Sequence, residues 1–185
     1  MQIDSSVFFS AAFLLLVLPL DWFLSGVAAS VIHELCHIGA LYLLHGKITG
    51  IHIHISGCVL ETDRIAESKQ FFSILAGPAG SFSLLFFSRL SPKIAICGLM
   101  QGIYNLIPVL PLDGGRLLQL LLFRFFPGRA ENVLDLTAIF VCVFMLILAF
   151  WMSVAVYLEI WPMVIALIWS RKVLPGKIPC KPLSF

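Results

Sequence analysis

The sequence Tyr104-Asn-Leu-Ile-Pro-Val-Leu-Pro-Leu-Asp-Gly-Gly-Arg116 interrupts an otherwise apolar part of the chain. Pro108 and Pro111 each remove a backbone hydrogen-bond donor and clash with the preceding turn, so a helix is predicted to break here. The helix should restart near Leu112 or Asp113. Within a membrane, broken backbone is stable only where protein buries it or a water-filled cavity solvates it. An ionisable residue such as Asp113 in that setting predicts a functional site with a partner elsewhere in the chain.

The composition places the whole chain in a membrane. Its 185 residues are 60% hydrophobic and 12% charged, with a mean hydropathy of +1.02, which is typical of an integral membrane protein and not of a soluble globule. We therefore predict a single membrane-embedded domain, 1–185, in the lipid bilayer, with no separate soluble domain. The net charge of +2 is small, so we expect no nucleic acid partner. The five cysteines form no Cys-x-x-Cys pair and predict packing, not a disulfide framework.

The apolar runs predict an all-α, polytopic membrane protein with about six transmembrane helices. A helix that crosses a bilayer needs roughly 20 apolar residues, and the candidate spans are 7–20, 22–44, 71–90, 93–126, 133–152 and 153–169. The fourth span contains the proline break, and the first is short. The second should end with a glycine stop at Gly46. The third contains the small-residue run Ala76-Gly-Pro-Ala-Gly-Ser81, which is suited to close helix packing.

Between the second and third spans, the apolar period changes from that of a helix to that of a strand. Isoleucine alternates with histidine from Ile51 to Ile55, and Ser56-Gly57 then precedes another short apolar run. This pattern predicts a small membrane-associated β-hairpin with one apolar and one polar face. Two interpretations of His52 and His54 stay open, a solvated strand face and a second metal pair, and the solvated face is the commoner of the two.

The partner that Asp113 requires lies upstream, in His33-Glu-Leu-Cys-His37. On a helix, residues i and i+4 share a face, so His33 and His37 can present two imidazoles to one tetrahedral metal, with Glu34 about 100° round the helix. A catalytic zinc has three protein ligands and a water, whose pKa it lowers to about 7, and a neighbouring carboxylate takes the proton. We therefore predict His33, His37 and Asp113 as ligands of one Zn²⁺ and Glu34 as the general base.

Two simpler interpretations of the same residues stay open. His33 and His37 could serve only to pack inside the membrane, with their hydrogen bonds satisfied there. Asp113 could serve as the cap of the restarted helix, a role that is compatible with metal binding.

The positions of Lys and Arg predict the orientation in the membrane, because cytoplasmic loops carry the excess of basic residues. With six spans and the N-terminus inside, two basic residues, Arg89 and Lys93, fall outside and nine fall inside. The inner nine are Lys47, Arg64, Lys69, Arg124, Arg129, Arg171, Lys172, Lys177 and Lys181.

Two motifs together resemble those of the site-2 protease family of intramembrane zinc metalloproteases. They are His33-Glu-x-x-His37 in one span and Asn105-x-x-Pro-x-x-Pro-Leu-Asp-Gly114 in a later one. The form Pro111-Leu-Asp-Gly-Gly-Arg116 is similar to the branch that includes the stage IV sporulation protease, which processes a membrane-associated sigma-factor precursor. The Gly77-Pro78 pair matches a third family marker, and the resemblance covers residues 22–126.

The resemblance implies a zinc endopeptidase that cuts membrane-associated or single-span proteins within or beside the bilayer. It implies a catalytic core at 22–126, in the bacterial cytoplasmic or forespore membrane, with an active site that opens to the cytoplasm. By position, it implies His33, His37 and Asp113 as zinc ligands. It also implies that Glu34 activates water and that Asn105 lies near the substrate carbonyl.

Two positions depart from the family's pattern. Cys36 stands where the family often has glycine, and Ser81 stands where an asparagine commonly follows Gly-Pro. Neither position belongs to the predicted ligands or to the predicted base.

The substrate is expected to bind as an extended strand. A substrate that arrives as a membrane helix hides its carbonyls in internal hydrogen bonds, and strand addition at the segment from Ile51 to Ile55 would replace those bonds. A regulatory membrane partner is compatible with the resemblance.

Two classes of function remain open at this point. The first is the protease, and the second is a non-catalytic zinc-binding membrane protein or small transporter that uses the same ligands. Glu34 favours the protease, because a structural or transport site needs no base beside the two histidines.

Overall fold

Helices make up most of the described chain, as the apolar composition predicts. The computed structural model describes residues 2–3, 19–46, 48–54, 57–62, 66–155 and 161–173. Its helices are α1 (Leu20–Leu43), α2 (Glu67–Ser83), α3 (Pro92–Asn105), α4 (Asp113–Phe125), α5 (Ala130–Ala155) and α6 (Trp161–Val173), with short 3-10 helices at Leu84–Phe87 and Pro127–Arg129. Its strands are β1 (Gln2–Ile3), β2 (Ile48–His54) and β3 (Gly57–Thr62). The chain divides into two compact units at Ile107 and Pro108.

Three helical segments in the described chain are long and apolar enough to cross a membrane: Leu20–Leu43, Glu67–Phe87 and Pro127–Val154. They correspond to the spans predicted at 22–44, 71–90 and 133–152. The span predicted at 7–20 lies outside the described residues, and the span predicted at 153–169 includes 156–160, which also lie outside them. The prediction of six crossing helices therefore stays a prediction.

The fourth predicted span is broken where the prolines require it. The first unit ends this span with α3, whose last residue is Asn105, and the second unit begins it again with α4 at Asp113. At 1.5 Å per residue each half is about 20 Å long, so neither crosses a bilayer alone. The predicted break and the predicted restart at Asp113 are both confirmed.

The turn before α4 is packed tightly against the first turn of that helix. The amide of Leu112 donates to the Val109 carbonyl at 2.9 Å, and the peptide bond between Leu110 and Pro111 is cis. A Cβ added at Gly115 would lie 2.3 Å from the carbonyl carbon of Val109, so only glycine permits this approach. Gly115 thus places the backbone before Asp113 directly over the start of α4.

In the first unit, α1 and α2 pack antiparallel through one buried face of each helix. The buried residues of α1 recur every four positions: Ser25, Ala29, His33, His37 and Leu41. A Cβ at Gly77 of α2 would lie 2.1 Å from the His37 ring, and one at Gly80 would lie 2.2 Å from Cys36 Sγ. The small-residue run therefore brings the backbone of α2 into close contact with the His37 and Cys36 side chains of α1, as its composition predicts.

Helix α3 packs against both α1 and α2 in the same unit. A Cβ at Gly98 would lie 2.8 Å from the Ser81 carbonyl oxygen, and one at Gly102 would lie 2.9 Å from the Phe82 ring. The side chains of Lys93 and Asp21 form an ion pair between the first turns of α3 and α1. Further along, Ser30 Oγ donates to Gln101 Oε1 at 3.3 Å. The earlier residue of α1 contacts the earlier residue of α3, and the later contacts the later, so α3 runs parallel to α1.

The end of α1 differs in one detail from the predicted glycine stop. The amide of Gly46 donates to the Leu41 carbonyl at 2.8 Å and the amide of His45 to the Tyr42 carbonyl at 3.0 Å, which is the Schellman pattern. The left-handed residue is His45, with φ of 55°, and not Gly46. Lys69 Nζ also donates to the Leu44 carbonyl at 2.9 Å, so a cation from α2 stabilises the negative end of α1.

The segment predicted as a hairpin contains two antiparallel strands, β2 and β3, in which His52 pairs with Val59 and His54 with Gly57. The predicted turn, Ser56-Gly57, is described only at Gly57, because 55–56 lie outside the described residues. β1 pairs in parallel with the other side of β2, at His52 and Ile53. β2 is therefore the central strand of the sheet, and the membrane association of the hairpin stays a prediction.

In the second unit, α5 packs against α4 and α6. Its buried residues are mostly small and lie near one face of the helix: Ala130, Leu134, Ala138, Cys142 and Ala149. Large apolar side chains elsewhere on α5 are exposed, as with Phe140 at 70% and Trp151 at 58%. Such an apolar surface is suited to lipid contact.

The contact at Gly77 generates a test of the α1–α2 packing. Gly77→Ala should destabilise the protein by about 1 to 3 kcal/mol, because the added methyl group overlaps the His37 ring and forces the helices apart. The measurement is the thermal unfolding midpoint in detergent, followed by circular dichroism. The matched control is Gly39→Ala on α1, where an added Cβ meets nothing within 4 Å, so stability should be equal to or above that of the wild type. Equal midpoints for wild type and Gly77→Ala would contradict the packing.

Candidate metal centre

The helical spacing of His33 and His37 brings their imidazoles together on the buried face of α1. Both side chains are buried, with 2% and 8% of their surface exposed. Their ring centroids are 4.8 Å apart and the rings are nearly perpendicular. The two Nε2 atoms face each other at 3.2 Å. The predicted ligand pair is therefore brought together.

Helix α2 contacts the other nitrogen of each ring. His37 Nδ1 lies 2.8 Å from the Ser73 carbonyl oxygen, and since a carbonyl can only accept, Nδ1 carries the proton and donates. The Nε2 of His37 then carries a lone pair in the neutral ring. His33 Nδ1 lies 2.8 Å from Ser81 Oγ, and a hydroxyl can accept from or donate to that nitrogen.

This arrangement fits a zinc ion. Two nitrogens bound to one tetrahedral zinc at 2.0 to 2.1 Å lie about 3.3 Å apart, close to the 3.2 Å between the two Nε2 atoms of His33 and His37. Metal-bound histidines commonly donate their other ring N–H to a carbonyl or another acceptor, which fixes both the tautomer and the ring orientation. Ser73 and Ser81 occupy the corresponding positions here.

Glu34 and Asn105 belong to the same unit as the histidine pair. Glu34 follows His33 on α1 and is half-buried, about 100° round the helix axis. Asn105 is the last residue of α3 and is also half-buried. The Ser30–Gln101 contact fixes the register of the parallel helices α1 and α3. Glu34 and Asn105 each lie four residues after this contact on their helices, so they lie level with each other. The helical register thus supports a place for Asn105 near Glu34.

Asp113 belongs to the second unit, where it is the first residue of α4. Its side chain is buried, with 8% of its surface exposed. The N-cap position is occupied by Leu112, with extended backbone and no side-chain cap hydrogen bond, so Asp113 is not the N-cap itself. A carboxylate in the first turn is still favoured by the helix dipole. The structure thus places a buried carboxylate at the start of the restarted helix, as the motif predicts.

Two contacts of the site were not predicted from the sequence. The Ser73 contact uses a backbone carbonyl, which has no signature in the residue type. Ser81 lies in the small-residue run, where its side chain was interpreted as a packing element. The signal that the sequence offers for the Ser81 contact is a polar residue in the small-residue run of the helix that follows the histidine pair.

A family model and a curated protein each match part of this chain. The model for peptidase family M50 matches residues 86–149. A zinc metalloprotease of Methanocaldococcus jannaschii is 30% identical over 135 residues, which cover 65% of this chain and 37% of the relative. The chain thus spans little more than a third of the length of that curated relative.

The fold has a counterpart among solved structures. The site-2 protease from Methanocaldococcus jannaschii is similar with a TM-score of 0.64 at 20% identity, over 92% of this chain and 87% of the other. At that identity the likeness concerns the fold alone. The chain is thus similar to peptidase family M50 over residues 86–149 and to a zinc metalloprotease over 135 residues, and its fold is similar to that of a solved site-2 protease.

Proposed function

We propose that this chain is an intramembrane zinc metalloendopeptidase that cleaves membrane-associated or single-span proteins. One observation carries the proposal: the two buried imidazoles of His33 and His37 direct their Nε2 atoms toward each other at 3.2 Å. A hydrogen-bond partner from α2 lies at the other nitrogen of each ring. Glu34 lies beside this pair on the same helix. The family comparison supports a protease, and the apolar helices support a membrane location.

The proposed ligands of the single zinc are His33, His37 and Asp113. The support for Asp113 is its motif, its burial and its position at the start of α4. Two imidazoles and one carboxylate are a ligand set that catalytic zinc uses, with one position left for water or substrate. When bound, zinc acts as a Lewis acid that polarises the substrate carbonyl and makes water acidic enough to attack at neutral pH.

Glu34 and Asn105 are proposed to act on the substrate and its water. The Glu34 carboxylate accepts the proton of the attacking water at one of its oxygens and then delivers it to the leaving amine nitrogen. Asn105 donates its side-chain amide N–H to the substrate carbonyl oxygen, which gains negative charge as the water attacks. The water-excluding helices around the histidines strengthen both interactions.

The alternative function is a non-catalytic zinc-binding membrane protein or small transporter. The same three ligands would serve it equally well. Glu34 separates the two classes, because neither a structural zinc site nor a transit site requires a base at that position.

The proposed setting is a multi-pass protein of the bacterial cytoplasmic or forespore membrane, with its active site open to the cytoplasm. The bias of Lys and Arg supports this orientation. The form Pro111-Leu-Asp-Gly-Gly-Arg116 supports a finer proposal, the sporulation branch with its sigma-factor precursor as substrate. A cleavage panel that includes such a precursor among unrelated single-span proteins tests this proposal, and a regulatory membrane partner can be added to the same assay.

The substrate is proposed to bind as an extended strand at the edge of β2, from Ile51 to Ile55, because strand addition replaces the hydrogen bonds of an unwound substrate helix. At His52 and Ile53 that edge pairs with β1, so binding there displaces a pairing of two residues. The outer edge of β3 has no strand partner within the described part of the chain and is the second position to test.

Replacement of the base tests the catalytic assignment. Glu34→Gln keeps the shape of the side chain but removes its ability to take a proton, so cleavage should fall by about 10² to 10⁴-fold while zinc stays bound. Activity is measured on purified protein in detergent with a panel of single-span substrates, and zinc by elemental analysis. Cleavage near the wild-type rate would remove Glu34 from the mechanism and favour the non-catalytic alternative.

Replacement of the third ligand tests the zinc site. Asp113→Asn should lower both zinc content and cleavage, because the amide is a much poorer zinc ligand than a carboxylate. The controls are His52→Ala and His54→Ala, which should retain zinc at the wild-type level if those residues form no second metal pair. A zinc content near one per chain in Asp113→Asn would limit Asp113 to a role at the helix start.

Proline substitutions locate the bound strand, because proline cannot donate a ladder hydrogen bond. Single prolines at 51, 52 and 53 of β2 should abolish cleavage at the alternate positions whose N–H faces the substrate, with zinc retained. Prolines at 58, 59 and 60 of β3 serve as the comparison. Loss of cleavage confined to outward-facing positions of β3 would move the substrate to that edge. Equal effects at every position, or none, would make the hairpin a connecting loop.

A further inference from the structure

The side chain of Ser81 contacts a histidine nitrogen that faces away from the proposed zinc. Ser81 lies on α2 with 0% of its surface exposed, and its Oγ is 2.8 Å from His33 Nδ1. His37 has the corresponding contact with a backbone carbonyl, that of Ser73. The two histidines are therefore oriented from the same helix by two different kinds of group.

The two contacts differ in what they require of the ring. The Ser73 carbonyl only accepts, so it admits one tautomer of His37. The Ser81 hydroxyl both donates and accepts, so it tolerates either neutral tautomer of His33. A His33 ring that binds a metal through Nε2 must carry its proton on Nδ1, and that N–H then needs an acceptor in a buried place. Ser81 Oγ lies at the position of that acceptor.

Packing on two sides holds the backbone that carries Ser81 in place. A Cβ at the preceding residue, Gly80, would lie 2.2 Å from Cys36 Sγ of α1. A Cβ at Gly98 of α3 would lie 2.8 Å from the Ser81 carbonyl oxygen. Because α2 is in close contact with both neighbours, the backbone that carries the Ser81 hydroxyl has little room to move away from His33.

We propose that Ser81 is a positioning residue for the metal, whose hydroxyl accepts the His33 Nδ1–H and directs Nε2 toward the zinc. This inference rests on the proposed zinc site. It assigns Ser81 a role in metal affinity, beyond that of a small residue that allows helices to pack.

The test measures zinc affinity on the full chain in detergent, by competition with a chelator of known affinity. Ser81→Ala should weaken zinc binding by about 10- to 100-fold, the usual effect of losing a group that orients a metal-bound histidine. The matched control is Ser25→Ala. Ser25 is a buried serine on α1 whose Oγ donates to the Asp21 carbonyl of its own helix at 2.7 Å, and its loss should leave the affinity unchanged. The unfolding midpoint of the metal-free protein is measured for each variant, and any fall in Ser81→Ala should be too small to account for its weaker zinc binding.

The outcomes separate this inference from the proposed function. If the wild type itself binds no zinc, the proposed function fails and this inference fails with it. If the wild type binds zinc and Ser81→Ala binds it within twofold, only the role of Ser81 is overturned. A lower metal-free midpoint in Ser81→Ala that accounts for its weaker binding, or an equal loss in Ser25→Ala, would make Ser81 a packing residue and also overturn the inference.

Discussion

The close contact between α1 and α2 at Gly77 and Gly80 is the constraint on which the histidine pair depends. With side chains at those positions, α2 would overlap the His37 ring and Cys36, so the helices could not approach. The approach buries both imidazoles and brings the Ser73 carbonyl and the Ser81 hydroxyl within 2.8 Å of their Nδ1 atoms. The Ser73 carbonyl only accepts and so fixes the proton of His37 on Nδ1, whereas the Ser81 hydroxyl can serve either neutral tautomer of His33. Helix packing thus prepares two nitrogens for a metal.

The other polar residues of the proposed site are each placed within their own unit. The parallel register of α3 on α1 places Asn105 level with Glu34, so that the proposed amide donor and the proposed base lie at the same level along the helices. The break after Asn105 allows a buried carboxylate, Asp113, to stand at the first turn of a new helix. Gly115 is required for that turn because it lets the Val109 backbone contact the helix directly. Helix packing thus places Asn105, and the local backbone around Gly115 places Asp113.

Much of this could be predicted from the sequence, because the relevant effects are local. Proline chemistry predicts the break and restart at Asp113, and the four-residue spacing predicts the histidine pair. Two contacts between distant segments were not predicted. The pairing of β1 with β2 has no signature in the sequence of either strand. The contact to the Ser73 carbonyl has none either, because every residue carries a backbone carbonyl. At the end of α1 the wrong residue was expected in the left-handed conformation, since glycine is the usual choice and His45 adopts it instead.

X-ray absorption spectroscopy at the zinc edge of the purified protein tests whether the two histidines and a carboxylate hold zinc. We expect a four-coordinate zinc with two imidazole ligands and the remaining ligands oxygen, all at about 2.0 to 2.2 Å. Cys36 lies between His33 and His37 in the sequence, so a sulfur ligand is the informative alternative. A scatterer at about 2.3 Å that fits sulfur, or a zinc without two imidazoles, would rule out the proposed ligand set.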